Sequence, residues 1–279
     1  MCFRVGVARR QMLAFGVWLA TRGALPRASL VLSALGVVAA VAASFVVGRR
    51  GGAGAEHLPS IVAEAVCWLA GTTLAVAVAV QALRRDREEG VLALARARGI
   101  GAHAYALGRL GGLSVVLAVA LGIPTLVAAL GATSASHAAG STLRSSLAAL
   151  VYTAAFSATI GPVAMATLGA RTRAGGYFTL LAVLVLPELV APITSEILPA
   201  GWDELTSIPA ALEAERAAVE TPMKHGEHLA RAVVGLAGVV FVSLVVVGER
   251  LRNTEGTSPA PDGTPPAPPG RGQYLEVAR

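Results

Sequence analysis

From Ala28 to Gly48 the chain runs without one ionisable side chain, and five further apolar stretches follow. A helix needs about 20 apolar residues to cross the hydrocarbon core of a bilayer. Backbone amides and carbonyls find no water there, so only helices and closed barrels can span it. These stretches are about twice the length of a barrel strand, which predicts an all-α polytopic membrane protein with six transmembrane helices. Composition agrees: 54% of residues are hydrophobic and only 14% charged, too little charge to coat a soluble domain of 279 residues.

The remaining spans are expected at Ala65 to Leu83, Leu110 to about Ala132, Ser145 to Ala170, Tyr177 to about Ile197, and Ala232 to Gly248. Glu64 falls just beyond the outer end of the second span, a small-residue turn is expected around Gly140, and Pro187 with Glu188 interrupts the fifth span. Ala42, Ala43 and Ser44 are small enough for signal cleavage. The apolar core before them is nevertheless longer than a signal core, and five spans follow, so the stretch reads as the first span.

Basic residues set the orientation. Arg49, Arg50, Arg144, Arg216, Lys224 and Arg231 fall on one side, and the other seventeen of the 23 fall on the opposite side. The positive-inside rule therefore places both termini in the cytoplasm. The net charge of +6 does not call for nucleic acid, because the arginines flank apolar segments and read as topology signals and contacts to anionic lipid headgroups. Three regions follow: a cytoplasmic N-terminal interfacial segment (1–27), a six-helix membrane domain (28–252), and a disordered Pro-rich cytoplasmic tail (253–279). In the first, Phe15 and Trp18 suit the headgroup layer, although Met12 to Ala20 shows no clean apolar face, and an irregular buried segment is the alternative. Cys2 and Cys67 form no disulfide or zinc pattern.

The loop between the second and third spans is the most charged part of the chain. Asp86, Glu88 and Glu89 are expected in the first turn of a short helix, with Arg96 and Arg98 in its last, an order that suits the helix dipole. Val91, Leu94 and Ala95 share one face, and Gly99 and Gly101 supply a stop. A second helix restarts near Ala102 and runs into the third span. Such a loop either docks into a soluble partner and transmits its movement, or serves only as a solvated topology signal.

Residues Arg87 to Leu94, followed by Arg96 to Ile100 and by Tyr105 to Leu110, resemble the corresponding loop of ABC-2 type permeases, the membrane subunits of one class of ATP-binding-cassette transporter. The resemblance is carried by a degenerate motif of about 25 residues and extends to the architecture: an interfacial N-terminal helix, six spans, and a long external segment before the last. Gly101, Ala102 and His103 stand where a Pro-Ser or Val-Ser step is common in that family. The resemblance implies a homodimer or heterodimer of permeases in a bacterial plasma membrane, driven by an ABC-type ATPase subunit. Asp86, Glu88, Glu89, Gly90, Val91, Leu94, Arg96 and Arg98 would then form the coupling element. No G-x-x-x-x-G-K-[ST] phosphate loop occurs, so the chain is expected to be no enzyme and to hold no cofactor, with ATP and Mg on the partner ATPase. An ion-coupled secondary transporter, a non-transporting assembly subunit, and a heme-exporter type of permease are the other readings.

The segment from Pro187 to Arg231 is expected outside. Pro187, Pro192 and Pro199 should break helical continuity, and Trp202 suits an interface. Ser207 with Pro209 reads as an N-cap and first-turn pair opening a helix through Glu220, against the alternative of an irregular acidic loop. Lys224, His225, Glu227 and His228 match no zinc spacing, so no metal site is expected. Glu64 and Glu188 are the acids nearest membrane depth, at the outer interface. Ala154, Ala158, Gly161 and Ala164 could permit close packing of the fourth span.

Overall fold

The structure, a computed structural model, describes residues 13–18, 20, 21, 24–49, 55–135, 139–169, 173–194, 197 and 201–253. The Pro-rich tail beyond 253 lies outside them, as do the side chains of Arg84, Arg85, Arg87, Glu88, Lys224 and His225. All regular structure among the described residues is helical. In chain order come α1 (Ala24–Arg49), a 3-10 turn (Ala55–His57), α2 (Leu58–Val66), a π turn (Cys67–Gly71), α3 (Thr72–Glu88), α4 (Val91–Ala97), α5 (Ala102–Ala135), α6 (Ala139–Leu168), α7 (Arg173–Thr194), α8 (Asp203–Thr206), α9 (Ile208–Glu220) and α10 (Pro222–Asn253). Six helical stretches are long and apolar enough to cross a membrane: Pro26–Arg49, Ala55–Val80, Ala102–Ala135, Gly140–Leu168, Gly175–Ile193 and Gly226–Arg252. The chain is a polytopic membrane protein.

Several boundaries differ from expectation. The second span begins ten residues earlier than Ala65, because Pro59 sits in the first turn of α2, where its missing N–H costs nothing. Glu64 thus lies on the body of a helix rather than beyond its end. Gly140 lies in the first turn of α6. Pro187 and Pro192 do not interrupt the fifth span: α7 continues through both. Prolines are tolerated within membrane helices, where neighbours and local adjustment satisfy the freed backbone groups.

The spans are unequally buried. In α6, 67% of the most apolar window is buried inside the molecule, against 11% in α1 and 6% in α7, so α6 is central and the other two lie at the periphery. The contacts of α6 are specific. Trp68 Nε1 donates to Tyr152 Oη at 2.9 Å, and the Trp68 ring meets Phe156 edge-on at 5.3 Å. Thr153 joins Thr125 at 3.2 Å, linking α6 to α5. Gly71 sits where a Cβ would run into the Phe156 ring at 2.6 Å, so only glycine lets the π turn approach α6 this closely. Of the small residues expected at the α6 interface, Gly161 and Ala164 are buried, whereas Ala154 and Ala158 face outward. Alanine spacing alone does not say which face of a helix meets protein.

Residues 13–18 are helical and lie across α5. A Cβ on Gly16 would collide with the carbonyl of Gly108, and one on Gly112 with the backbone of Gly16. The alternative of an irregular segment is set aside. Phe15 stacks on Trp18 at 5.9 Å, and Trp18 is exposed.

Candidate functional site

One end of the bundle gathers the charged loop. Asp86, in the last turn of α3, is only 2% exposed. Arg109, a turn beyond Tyr105 on α5, grips it with both arms: Nε to Oδ2 and Nη2 to Oδ1, each at 2.8 Å. The Tyr105 hydroxyl donates to Oδ2 at 2.6 Å, and Arg109 Nη2 also reaches the Ala82 carbonyl at 3.4 Å. The carboxylate is thereby saturated with donors. Without them, a negative charge at a helix C-terminus and out of water would be doubly unfavourable.

The loop helix is shorter than expected and differently populated. Asp86 and Glu88 do not open it; they close α3, whose hydrogen-bond ladder runs on until Gly90 turns left-handed at φ 68°. The helix then spans Val91–Ala97 and ends in a Schellman motif, with Gly99 (φ 75°) donating to Arg96 O at 2.8 Å and Ile100 to Ala95 O at 3.0 Å. Gly99 is the stop that its place in the sequence predicts. The expected ridge of Val91, Leu94 and Ala95 divides: Ala95 turns inward with Leu92, Val91 is half-buried, and Leu94 points out at 56% exposure. Glu89, Gly90 and Arg98 are also exposed. Arg96 reaches across to the Leu251 carbonyl at 3.2 Å, one of the last four acceptors of α10. Arg250 donates to the Ala166 carbonyl in the last turn of α6. The loop helix is therefore anchored to α10, and α10 to α6.

The opposite end is capped by α8 and α9. Ser207 accepts from the Ala210 N–H at 3.2 Å, and Pro209 occupies the first turn of α9, as the sequence predicts. The Ser207 hydroxyl also donates to Glu188 on α7. Glu220 at the far end of α9 accepts from Ser60 at 3.2 Å. His228 pairs with Glu204, pinning α8 to α10, and no cluster of three metal-ligating side chains occurs among the described residues.

Beneath α9 lies a cavity of about 490 Å³. Glu64, Trp68 and Thr72 line it from the second span and Tyr152 from α6, while Leu184, Val185 and Glu188 come from α7, and Pro209 and Glu213 from α9. Burial pushes the Glu213 carboxyl above its ordinary range, against the opposing pull of Arg216 at 2.5 Å. Glu215, on the same helix, is raised by burial alone.

The loop residues singled out from the sequence do not share one face: Asp86 faces the interior, Arg96 ties down α10, and Leu94 and Arg98 face out. Sequence reasoning missed Tyr105 and Arg109 as the partners of Asp86. Their spacing of four on one helix, opposite an acid in the last turn of another, was the available signal. It also missed Glu213, which joins Glu64 and Glu188 only through the fold. Neither a protein-family model nor a curated protein matches this chain.

Proposed function

We propose that this chain is the permease subunit of an ATP-driven exporter of the ABC-2 type, working as a homodimer or heterodimer and driven by a separate ATPase through α4. The supporting observation is a short helix with an exposed apolar residue, Leu94, held rigidly to the bundle at three places. Gly90 joins it to α3, Arg96 to α10, and the Schellman turn leads into α5. A push on Leu94 and Arg98 would pass to three spans at once, which a solvated topology loop has no need to do. The sequence assigns seventeen of 23 basic residues to the termini and to the loops on the same side as α4, which supports a cytoplasmic position for it, where ATP is.

The decisive experiment isolates the full-length chain from its native membranes and measures ATP hydrolysis with and without its partners. An ATPase bearing a phosphate-loop motif should co-isolate, and the chain freed of it should hydrolyse nothing. Leu94→Asp should put a charge into the contact at a cost of about 2–4 kcal/mol if it is desolvated, lowering co-isolation and transport with membrane abundance unchanged. Hydrolysis by the lone chain, or full assembly and transport by Leu94→Asp, would remove the proposal. The carboxylates of the opposite cavity favour one other reading, an ion-coupled carrier. That reading requires transport by the chain alone in proteoliposomes under an ion gradient without ATP.

A further inference from the structure

We infer that the cavity beneath α9 binds an amphipathic organic cation, a ligand class that deepens the exporter reading and rests on it for any role in transport. Three carboxylates from three separate elements, Glu64, Glu188 and Glu213, converge on one space, and among the described residues no Lys, Arg or His lines it. They are not equivalent. Glu213 is already engaged by Arg216 at 2.5 Å, and Glu188 accepts the Ser207 hydroxyl. The Glu64 carboxylate makes no hydrogen bond or ion pair to any described residue, and both Glu64 and Glu188 are exposed. The negative charge offered to a ligand is therefore chiefly that of Glu64, from the second span, and Glu188, from α7.

Trp68 and Tyr152 add two aromatic side chains to the lining. Trp68 gives its N–H to Tyr152 at 2.9 Å, which fixes the indole edge, and the half-buried ring lines the cavity, where its exposed part can meet a flat or quaternary cation. The Trp68 wall is irregular: residues Cys67–Gly71 form a π turn, a distortion that recurs at functional sites and here brings Trp68 against Tyr152 and Phe156. The remaining lining supplied by α7 and α9 is largely apolar, including Leu184, Val185 and Pro209. A volume of about 490 Å³ lies within the range of small-molecule pockets.

This combination selects by chemistry. A hard cation such as calcium or magnesium would require six or more oxygen ligands, and among the described residues no three metal-ligating side chains come close enough to share an ion. A neutral acyl chain would gain nothing from the carboxylates, and an anion would be repelled by them. A delocalised or quaternary cation with a flat apolar body uses both the charge and the walls.

Ethidium, permanently charged, and its uncharged relative phenanthridine test the assignment by binding alone, without ATP or any ATPase. The full chain, carrying Trp18→Phe and Trp202→Phe so that Trp68 is the sole tryptophan, is placed in phosphatidylcholine nanodiscs. Ethidium should quench Trp68 emission saturably, and phenanthridine should bind about tenfold more weakly or worse. Glu64→Gln and Glu188→Gln should each weaken ethidium about threefold and together about tenfold, while Glu249→Gln, at the other end of α10, should change nothing. Both target residues are exposed, so their amides should leave the fold intact, and the comparison of the two probes needs neither variant. Equal binding of phenanthridine would make the cavity a lipid-filled apolar groove. That result, a double variant that binds ethidium like its parent, or an absence of saturable quenching would each overturn the inference. None of them bears on α4, just as full activity of Leu94→Asp would remove the exporter reading and leave the cation site standing.

Discussion

Asp86 accepts three strong hydrogen bonds from two residues of α5 while almost wholly removed from water. Breaking such a pair from one side strands a buried charge, which is costlier than never having had the pair. Asp86→Asn and Arg109→Leu should each lower unfolding stability by about 3–5 kcal/mol, whereas Asp86→Leu with Arg109→Leu should recover most of the loss. Thermal unfolding of the full chain in detergent, read as a double-mutant cycle, checks this. Glu215 presents the opposite case: Oε2 is buried without a hydrogen-bond partner, and burial raises its carboxyl above the ordinary 4.5. A carboxyl raised on folding binds its proton more tightly in the native state, so stability falls as pH rises from about 4.5 through the folded value. Glu215→Gln should therefore raise the melting temperature at pH 7, and the gain should vanish below about pH 4.5.

At the scale of elements, α4 is a seven-residue helix too short to persist alone, bounded by two left-handed glycines. A Cβ at φ 68° or 75° costs about 1–2 kcal/mol even though nothing crowds either position. Gly90→Ala and Gly99→Ala should accordingly speed hydrogen exchange of amides 91–100 by about five- to thirtyfold, with the amides of α6 unaffected. Local chemistry made these boundaries legible. A glycine after a basic last turn marks Gly99, and a serine two residues before a proline marks Ser207, because the groups that satisfy a helix end lie within a few residues of it. The start of α4 was harder to place, since acids suit a first turn by their charge. Asp86 instead closes α3 because Arg109, 23 residues away, neutralises it there. The rotation of α4 escaped prediction for the same reason: Leu94 and Ala95 share an apolar stripe, but it is Leu92 and Ala95 that turn into the core, leaving Leu94 exposed.

For the whole molecule, orientation is the quantity to test. Of the 23 basic residues seventeen belong, by sequence, to the two termini and to the loops after the second and fourth spans, so the α4 end should be cytoplasmic and the α8–α9 cap external. With Cys2 and Cys67 replaced by serine and alanine, an impermeant thiol reagent added to intact cells should label Asp203→Cys and spare Arg98→Cys; both positions are exposed. The reverse pattern would invert the topology. What the amino-acid sequence determined unaided is the number and kind of the spans. In hydrocarbon every backbone N–H and C=O must be satisfied within its own segment, so a long charge-free run admits one local solution. Tertiary structure alone decided what those helices do to one another: that α6 is central and α7 nearly bare, that Asp86 meets Arg109, and that Glu64, Glu188 and Glu213 share one cavity. Those outcomes depend on the rotation and depth of each helix against its neighbours. In a chain built mostly of alanine, valine, leucine and glycine, nearly every face is apolar enough to be the buried one, and only close packing and a few polar pairs choose among them.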